Sequence, residues 1–537
     1  MNLLSLLIAS LSFGHVFCMP IGEAPIKSSI LAPRAPGCSI GDIRGVETSS
    51  GACRYTLRYA EVKERWGYSQ LPSITSSSKL PIFVWVHGGS FVSGSASAPG
   101  LDGSTLAQGG IIVIVIQYRL GVLGFLPPSL AASSNDPNLG LLDLINGLSA
   151  IQNYATSFGG DAGRVTLGGQ SAGAGMIRSL LGVPSAKGLF ESANLQSDPL
   201  SYGLASTMTT AQLRDAYYSA QTLSTCSSLK CLQSLSLGDI LKAQDDLLSY
   251  APYTFEAVPL AEVILPTYGT NIIPNDPTPI LFNSPNSLPI STSDISLLMT
   301  TTKNEGGSAV QQLFPVPVPP SNKTLVSALT ALVGEDRAEA IAKVPAYTSS
   351  VGGADGMRGT FEKIVTDGVW RCPNRAAARS WAKAGGKVWV AEWLAGSTYP
   401  TNTGSYCQGA DRVCHEDDIY PTFGTAPISF PEGVGNEVLA AWSTFINNGT
   451  PTLPTGGKGN NVRDYLRQWS DYLKEKAKDW LGQLKEKAAK WHSERGVETW
   501  ARYTGDDSTV FAIGDGEALA CPAGWGDQVK YNWQMYP

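Results

Sequence analysis

Histidine is scarce in this chain, and so are charged residues and long apolar runs. Only 4 of the 537 residues are histidine, and 16% are charged, with a formal net charge of -6. Without an excess of basic residues, binding to nucleic acid is not favoured. After residue 18 no apolar run is long enough to cross a membrane. No cysteines and histidines have the spacing of a zinc site. We therefore expect a soluble protein without such a site.

The first 18 residues predict a secretory signal peptide. They contain an apolar run that is too short to span a membrane stably, and small residues precede the expected cleavage point. Removing residues 1–18 leaves eight cysteines, an even number that favours disulfide bonds in an oxidising compartment. Asn322 and Asn448 begin N-glycosylation sequons, which agree with export. The sequence thus predicts a secreted, extracellular protein.

Short β-branched runs alternate with amphipathic stretches along the chain. Strands are predicted at residues 81–86, 111–116, 164–167, 295–299 and 388–393. Helices are predicted at residues 141–154, 208–222, 325–343 and 435–447. Buried strands that alternate with helices indicate a mostly parallel sheet covered on both faces. No internal boundary is evident, so we expect one α/β domain over residues 19–537.

Residues 462–495 differ from the rest of the chain. They contain nine Lys or Arg and six Asp or Glu. Their apolar residues, which include Trp469, Trp480 and Trp491, recur mostly at spacings of three and four, as on one face of a helix. We predict an amphipathic helix at 462–495. Its apolar face either packs on the domain or makes peripheral contact with a lipid surface.

The most informative stretch runs from a short predicted strand into the sequence Gly-Gln-Ser-Ala-Gly at residues 169–173. In a G-x-S-x-G turn between strand and helix, the serine has a strained backbone and an exposed hydroxyl, which suits a nucleophile. The pattern is short, and a glycine turn with an incidental serine is the alternative interpretation. We identify Ser171 as the candidate nucleophile, provided that the rest of a serine hydrolase is present.

The shortage of histidine restricts the choice of a general base. His15 lies in the predicted signal peptide, His87 opens a glycine turn, and His492 lies in the charged segment. His415, in a loop rich in acidic residues, remains as the candidate base. In enzymes with such a serine turn, the acid falls between serine and histidine along the chain. Glu305 fits, because it follows the predicted strand 295–299; the alternative is a solvated loop carboxylate.

The oxyanion of a serine hydrolase needs backbone N–H donors. Gly88 and Gly89 follow a predicted strand and have no side chains to cover their N–H groups, and Ala172 begins a predicted helix just after the nucleophile. Ser171 would then attack an acyl carbonyl while His415 takes its proton and Glu305 stabilises the imidazolium. Such a reaction requires neither a metal nor an organic cofactor.

These motifs together resemble the type-B carboxylesterase/lipase family, the relatives of the cholinesterases. The resemblance covers residues 81–424 and is carried by five pieces, at 84–91, 118–121, 158–173, 304–306 and 414–418. It implies one α/β-hydrolase domain that hydrolyses small-molecule or lipid esters. It also implies disulfide bonds, namely Cys226–Cys231, Cys372–Cys521 and, to brace the loop of His415, Cys407–Cys414.

The chain departs from the family in three places. Gln170 stands where many members have a glutamate that helps to hold a cation in the cholinesterases, so we expect uncharged esters. The family's strand before the His-Gly-Gly strand is missing before Leu80, either through real loss or through a faulty gene model. A substitute strand would have to come from residues 53–79, and Cys38–Cys53 is the fallback for the family's first disulfide. Residues 462–495 have no counterpart in the family.

The resemblance leaves two alternatives to a carboxylesterase. One is a lipase that reaches lipid interfaces through the segment 462–495. The other is a non-catalytic adhesion or binding protein on a hydrolase fold, an outcome known in this family where the triad has decayed. Ser171, Glu305 and His415 all stand in this chain, which favours an enzyme.

Overall fold

A computed structural model describes residues 79–522 except 131–135, 256, 260–261, 334, 349–354, 410, 428 and 455–496. Before residue 79 it describes the backbone of six two-residue strands. The predicted signal peptide (1–18), the predicted helix at 462–495 and the side chains of Cys38 and Cys53 lie outside the described residues.

A parallel sheet forms the centre of the fold. Among the described residues it has seven strands: β1 (Leu80–Val86), β2 (Ile112–Ile116), β3 (Gly160–Gln170), β4 (Ser192–Gln196), β5 (Ser296–Thr302), β6 (Lys387–Trp393) and β7 (Phe511–Ile513). Their order across the sheet is β7-β6-β5-β4-β3-β1-β2, and every neighbouring pair is parallel. The register places Val86 and Leu195 on either side of Gly169. The carboxyl ends of β1, β3 and β4 therefore meet where the Gly-Gln-Ser-Ala-Gly turn begins.

Both faces of β1 are buried, which explains why this strand is apolar without alternation. In β1, Ile82, Val84 and Val86 pack into the large core cluster that includes Leu144 and Leu148 of the helix Leu139–Tyr154. On the opposite face, Phe83 and Trp85 pack against Phe423, Ile446 and Leu106. Because successive side chains of a strand point to opposite faces, one apolar run supplies two cores.

Helices and short sheets surround the central sheet. The helices are Ser104–Gln108, Gly121–Phe125, Leu139–Tyr154, Ala172–Leu181, Thr207–Tyr218, Gln221–Ser224, Leu229–Ser234, Leu237–Thr254, Pro277–Asn283, Gly307–Leu313, Asn322–Val333, Glu335–Ala342, Pro345–Thr348, Gly356–Val365, Cys372–Lys383, Ile419–Phe423 and Glu432–Asn448, and a π-helical segment spans Thr366–Arg371. Two further strand pairs are Ala205–Ser206 with Thr267–Tyr268 and Thr452–Pro454 with Val497–Thr499. Within the described ranges, no helix is long and apolar enough to cross a membrane.

The predicted fold class is confirmed, and the five predicted strands correspond to β1, β2, β3, β5 and β6. Strands β4 and β7 were not predicted. The sequence of β4, Ser-Ala-Asn-Leu-Gln, is short and half polar, and β7 has three residues. The predicted helix 208–222 is two helices, because Ala220 has an extended backbone with ψ 142°. The predicted helix 325–343 is also two, Asn322–Val333 and Glu335–Ala342.

No described strand before Leu80 joins the central sheet. Val46–Glu47 pairs with Cys53–Arg54, and Glu61–Val62 pairs with Ser69–Gln70. The sequence left open a substitute strand from residues 53–79, and in the described part of that region the strands pair only locally. Strand β2 is consequently an edge of the sheet as described.

Candidate active site

Ser171 lies in the sharp turn between β3 and the helix Ala172–Leu181. Its backbone has φ 56° and ψ -126°, a conformation that an L-residue adopts only at a cost of about 1–3 kcal/mol. Two hydrogen bonds hold it there: Ser171 N donates to Gln196 O at 2.9 Å, and Gly175 N donates to Ser171 O at 2.9 Å. A strained backbone that the surrounding structure enforces is typical of a nucleophile turn.

Gly173 explains why small residues flank the serine. A Cβ on Gly173 would collide with the carbonyl oxygen of Val86 at the end of β1. The helix after Ser171 therefore packs directly on the neighbouring strand, and only glycine permits this approach. The serine is consequently held at the carboxyl edge of the sheet.

Glu305 and His415 are 110 residues apart in the chain, yet their side chains are in contact. His415 Nδ1 lies 2.6 Å from Glu305 Oε2, and the carboxylate is fully buried. The other carboxylate oxygen, Oε1, accepts a hydrogen bond from Thr302 N at 2.7 Å. With Nδ1 donating to the carboxylate, the Nε2 atom of neutral His415 is free to accept a proton, as a general base requires.

The loop of Glu305 is anchored by the helix Gly356–Val365 and by the segment that follows it. Gly306 N donates to Thr366 Oγ1 at 3.0 Å, and Asn304 Nδ2 donates to Glu362 Oε2 at 2.9 Å. Arg371 Nη2 donates to Lys303 O at 2.9 Å. These bonds fix the backbone on both sides of Glu305, so the carboxylate is presented to His415 in one orientation.

The electrostatic surroundings of His415 favour its charged form. Burial alone would lower the pKa of the imidazole. The hydrogen bond and charge of Glu305, joined by the charges of Glu416 and Asp418, outweigh burial and raise the pKa of His415 to about 9. This site therefore stabilises an imidazolium, the species that forms when a histidine takes a serine proton.

Ser171 and His415 are not hydrogen-bonded to each other in the part of the chain that the structure describes. The Nε2 atom of His415 instead lies 3.2 Å from Nε2 of the Gln170 side chain. Nucleophile–base hydrogen bonds are often long in enzymes without substrate and tighten when substrate binds. The three predicted residues are thus gathered at one edge of the sheet, with Gln170 at the imidazole nitrogen that faces away from Glu305.

The glycine turn after β1 lies against the serine. A Cβ on Gly88 would lie 3.2 Å from the Cβ of Ser171. Among the described residues, the backbone N–H groups of Gly88, Gly89 and Ala172 have no hydrogen-bond acceptor. Unpaired donors beside a nucleophile are the arrangement that an oxyanion hole requires. The oxyanion role of these three residues stays a prediction.

His87 has a supporting position in this turn. Its ring stacks on Tyr118 with the centroids 4.6 Å apart, its Nδ1 lies 2.9 Å from Gly88 O, and Tyr118 Oη donates to His87 O at 2.8 Å. Burial lowers the pKa of His87, which favours the neutral ring. These contacts hold the backbone that carries Gly88 and Gly89, so His87 stabilises the glycine turn.

Asp417 and Asp418, two residues to which the sequence analysis gave no role, hold the loop of His415. Asp417 accepts hydrogen bonds from Cys414 N at 2.7 Å and from Tyr399 N at 2.8 Å. Asp418 accepts one from Gln196 Nε2 at 2.7 Å, and burial with the nearby charge of Glu305 raises its pKa to about 7. The run of acids after the histidine was the available signal for both.

Disulfide bonds join the three pairs that the resemblance implies: Cys226–Cys231, Cys372–Cys521 and Cys407–Cys414. The last of these is buried between the loops of Glu305 and His415. A Cβ on Gly307 would collide with Cys414 Sγ and would lie 2.9 Å from Cys407 Sγ. The backbone just after Glu305 therefore rests on the disulfide just before His415. Asn322 and Asn448, the sequon asparagines, are exposed.

Replacing Cys407 and Cys414 together by serine is expected to lower kcat at least about tenfold, because loosening this contact displaces His415 from Glu305. Loop closure predicts a loss of about 2–3 kcal/mol in unfolding free energy. The double replacement of Cys226 and Cys231 by serine is the control, since that disulfide is partly exposed and links the loop after the helix Gln221–Ser224 to the helix Leu229–Ser234. Denaturant unfolding and ester turnover measure both effects. Equal kcat values in the two double variants would contradict the positioning role.

No group of three or more His, Cys, Asp and Glu side chains is placed to hold a metal ion within the described ranges. The chemistry available at this edge of the sheet is that of a serine hydroxyl, an imidazole, a buried carboxylate and unpaired N–H donors. That set matches acyl transfer through a covalent intermediate.

Known proteins resemble this chain over most of its length. Residues 68–500 match the model of the carboxylesterase family. Para-nitrobenzyl esterase of Bacillus subtilis is 37% identical over 276 residues, which are 50% of this chain and 52% of that protein, so the match spans about half of its length. Carboxylesterase 1D of Mus musculus is 27% identical over 437 residues, 75% of this chain and 73% of that protein.

Solved structures show the same fold. A PNB esterase aligns with a TM-score of 0.60 and 26% identity, covering 79% of this chain and 92% of its own. A thermophilic PNB esterase aligns with a TM-score of 0.55 and 29% identity, covering 72% of this chain and 74% of its own. The family match at residues 68–500 includes strands β1 to β6, the serine turn and both Glu305 and His415. This chain belongs to the carboxylesterase family.

Proposed function

We propose that this protein is a secreted carboxylic ester hydrolase that cleaves uncharged esters through Ser171, Glu305 and His415. The observation that carries the proposal is the 2.6 Å contact between the buried carboxylate of Glu305 and Nδ1 of His415. It lies beside a serine that the fold holds in a strained turn. Membership of the carboxylesterase family supports the reaction class.

In the proposed reaction, Ser171 Oγ attacks the ester carbonyl while His415 Nε2 takes the hydroxyl proton. The N–H groups of Gly88, Gly89 and Ala172 donate to the oxyanion, and Glu305 stabilises the imidazolium. The bond between the carbonyl carbon and the alkoxy oxygen then breaks, and His415 gives its proton to the alkoxide, which leaves as an alcohol. The acyl group stays on Ser171 Oγ as an acyl-enzyme. Water, activated by the same imidazole, attacks the acyl carbonyl, and the carboxylic acid departs.

Two features support uncharged substrates. Gln170, the residue before the nucleophile, is neutral and buried, so the turn offers no carboxylate to pair with a cationic alcohol. A Bacillus relative is named for para-nitrobenzyl esters, whose alcohol is uncharged. Choline-type esters are expected to be poor substrates.

Reaction with a fluorophosphonate probe tests the proposal directly. The purified protein is expected to release p-nitrophenol from short p-nitrophenyl esters and to bind the probe covalently, one per chain, on the peptide that contains Ser171. Heat-denatured protein is the control, because only the folded site activates the serine. Absence of both hydrolysis and labelling would reject the hydrolase and favour the adhesion or binding protein.

A lipase is the second candidate, favoured by the segment 462–495. Lysines beside an apolar stripe with three tryptophans suit a helix that lies on a lipid surface. A panel of esters of increasing chain length, assayed below and above substrate aggregation, separates the two. A lipase gains activity on aggregates and loses vesicle binding when 462–495 is deleted; an esterase that contacts no lipid does neither.

A further inference from the structure

The nitrogen of His415 that must accept the serine proton already has a neighbour in the structure. Gln170 is the last residue of β3, and its side chain is fully buried. Its amide nitrogen lies 3.2 Å from His415 Nε2, on the side of the ring opposite Glu305. The imidazole is thus bracketed by a carboxylate at Nδ1 and an amide at Nε2.

The hydrogen-bonding types at the two ring nitrogens are complementary. The carboxylate of Glu305 can only accept, so Nδ1 carries the proton and donates to it. In the neutral ring Nε2 is then an acceptor, and the amide N–H of Gln170 can donate to it. The amide therefore matches the neutral imidazole, whereas a carboxylate at this position would match the imidazolium.

A second observation concerns the oxygen of the same amide. The oxygen of Gln170, Oε1, is buried and has no hydrogen-bond partner among the described residues. It points to the glycine turn, where a Cβ on Gly88 would lie 2.9 Å from it. With the oxygen packed on this turn, the nitrogen faces His415. An unpaired buried acceptor costs about 1–3 kcal/mol.

We propose that Gln170 is a positioning residue that holds the neutral imidazole of His415 before substrate binds, its amide occupying Nε2 until the hydroxyl of Ser171 replaces it during the reaction. The inference rests on the proposed hydrolase function. Ser171 directly follows Gln170 in the chain. The proposed exchange requires the imidazole to turn from the amide of Gln170 to the hydroxyl of Ser171. The amide also keeps the ring in the tautomer that can act as a base.

The donor at Nε2 opposes the charges around His415. The groups that face the ring are Glu305 from the loop after β5, Glu416 and Asp418 from its own loop, and Glu262. The first three favour the imidazolium and raise the pKa of His415. A hydrogen bond donated to the neutral ring acts in the other direction. Without the amide, the pKa of His415 should rise further.

The pH dependence of kcat/KM in two variants tests this role. The acid limb of this profile is the fall in kcat/KM at low pH, where His415 becomes protonated. Methionine has a side chain of similar length to glutamine but offers no hydrogen-bond donor. In Gln170→Met we therefore expect the acid limb to move up by about half to one pH unit, the equivalent of one hydrogen bond. In Gln170→Glu, the carboxylate accepts from the imidazolium, and the limb should move up by more than one unit. Gln244→Met is the control, because Gln244 is also a buried glutamine, and its side-chain oxygen accepts a hydrogen bond from Val122 N and not from His415.

The rate of inactivation by a fluorophosphonate, measured as a function of pH, reports the same acid limb. This measurement does not depend on ester turnover, so it can be made on a variant with low kcat. Both variants shifting upward in the order methionine then glutamate, with Gln244→Met unshifted, supports the role. An unmoved or lowered limb in Gln170→Met overturns it, even if kcat falls. If the unmodified enzyme neither hydrolyses esters nor reacts with the probe, the proposed function fails instead.

Discussion

Ser171→Ala is expected to lower kcat for a short p-nitrophenyl ester by about 10⁵- to 10⁶-fold, because alanine lacks the hydroxyl that forms the acyl-enzyme. The fold should be retained, since alanine fits the buried site of Ser171 and keeps both backbone hydrogen bonds. Residual hydrolysis about 10³- to 10⁴-fold above water remains, from substrate binding and the oxyanion donors. Steady-state turnover and loss of probe labelling measure the effect.

Ser171→Gly should lower kcat as much as Ser171→Ala does, because both variants lack the hydroxyl. The glycine variant, however, relieves the backbone strain that the alanine variant keeps. Glycine adopts φ 56° and ψ -126° without strain, whereas alanine does not. The glycine variant should therefore unfold with a free energy about 1–2 kcal/mol higher than the alanine variant. If alanine retains more than about 1% of kcat, another residue is the nucleophile. If alanine is the more stable of the two, the turn is not strained.

The site could be predicted from sequence to the extent that each residue had a local signal. Ser171 sits in a five-residue motif after a strand, and His415 was identified by eliminating the other three histidines. Glu305 followed from chain order and from its place after a strand that the structure extends to Thr302. Each of these signals depends on only a few neighbouring residues and on the order of elements in a parallel sheet.

The remaining features depend on contacts between distant parts of the chain. Gln170 and His415 are separated by 245 positions, and nothing in either motif says that the amide meets Nε2. Sequence suggested only that Gln170 makes the turn neutral. The same holds for β4, whose Asn194 and Gln196 are polar because their amides bond to each other and to Asp418. A buried strand with a polar function lacks the apolar pattern by which strands are recognised.

Glu305→Gln is expected to lower kcat by about 10³- to 10⁴-fold. The amide that replaces the carboxylate carries no charge to stabilise the imidazolium, and it can donate to Nδ1 and favour the wrong tautomer. The acid limb of kcat/KM should move as well. Removing the charge and hydrogen bond of Glu305 lowers the pKa of His415 from its raised value of about 9. The neutral base then persists to lower pH, so the limb moves down.

The fall in kcat and the shift of the acid limb together distinguish a direct effect on His415 from a general loss of structure. Glu416→Gln is the matched control, because Glu416 also raises the pKa of His415 but does so by charge alone. It should move the limb down by less and lower kcat by less than about tenfold. A variant at 305 with low kcat but an unmoved limb would mean that Glu305 only maintains the loop. Since Gln170→Met is expected to move the limb up, the two substitutions on opposite sides of one imidazole should shift it in opposite directions, which general destabilisation of the site cannot do.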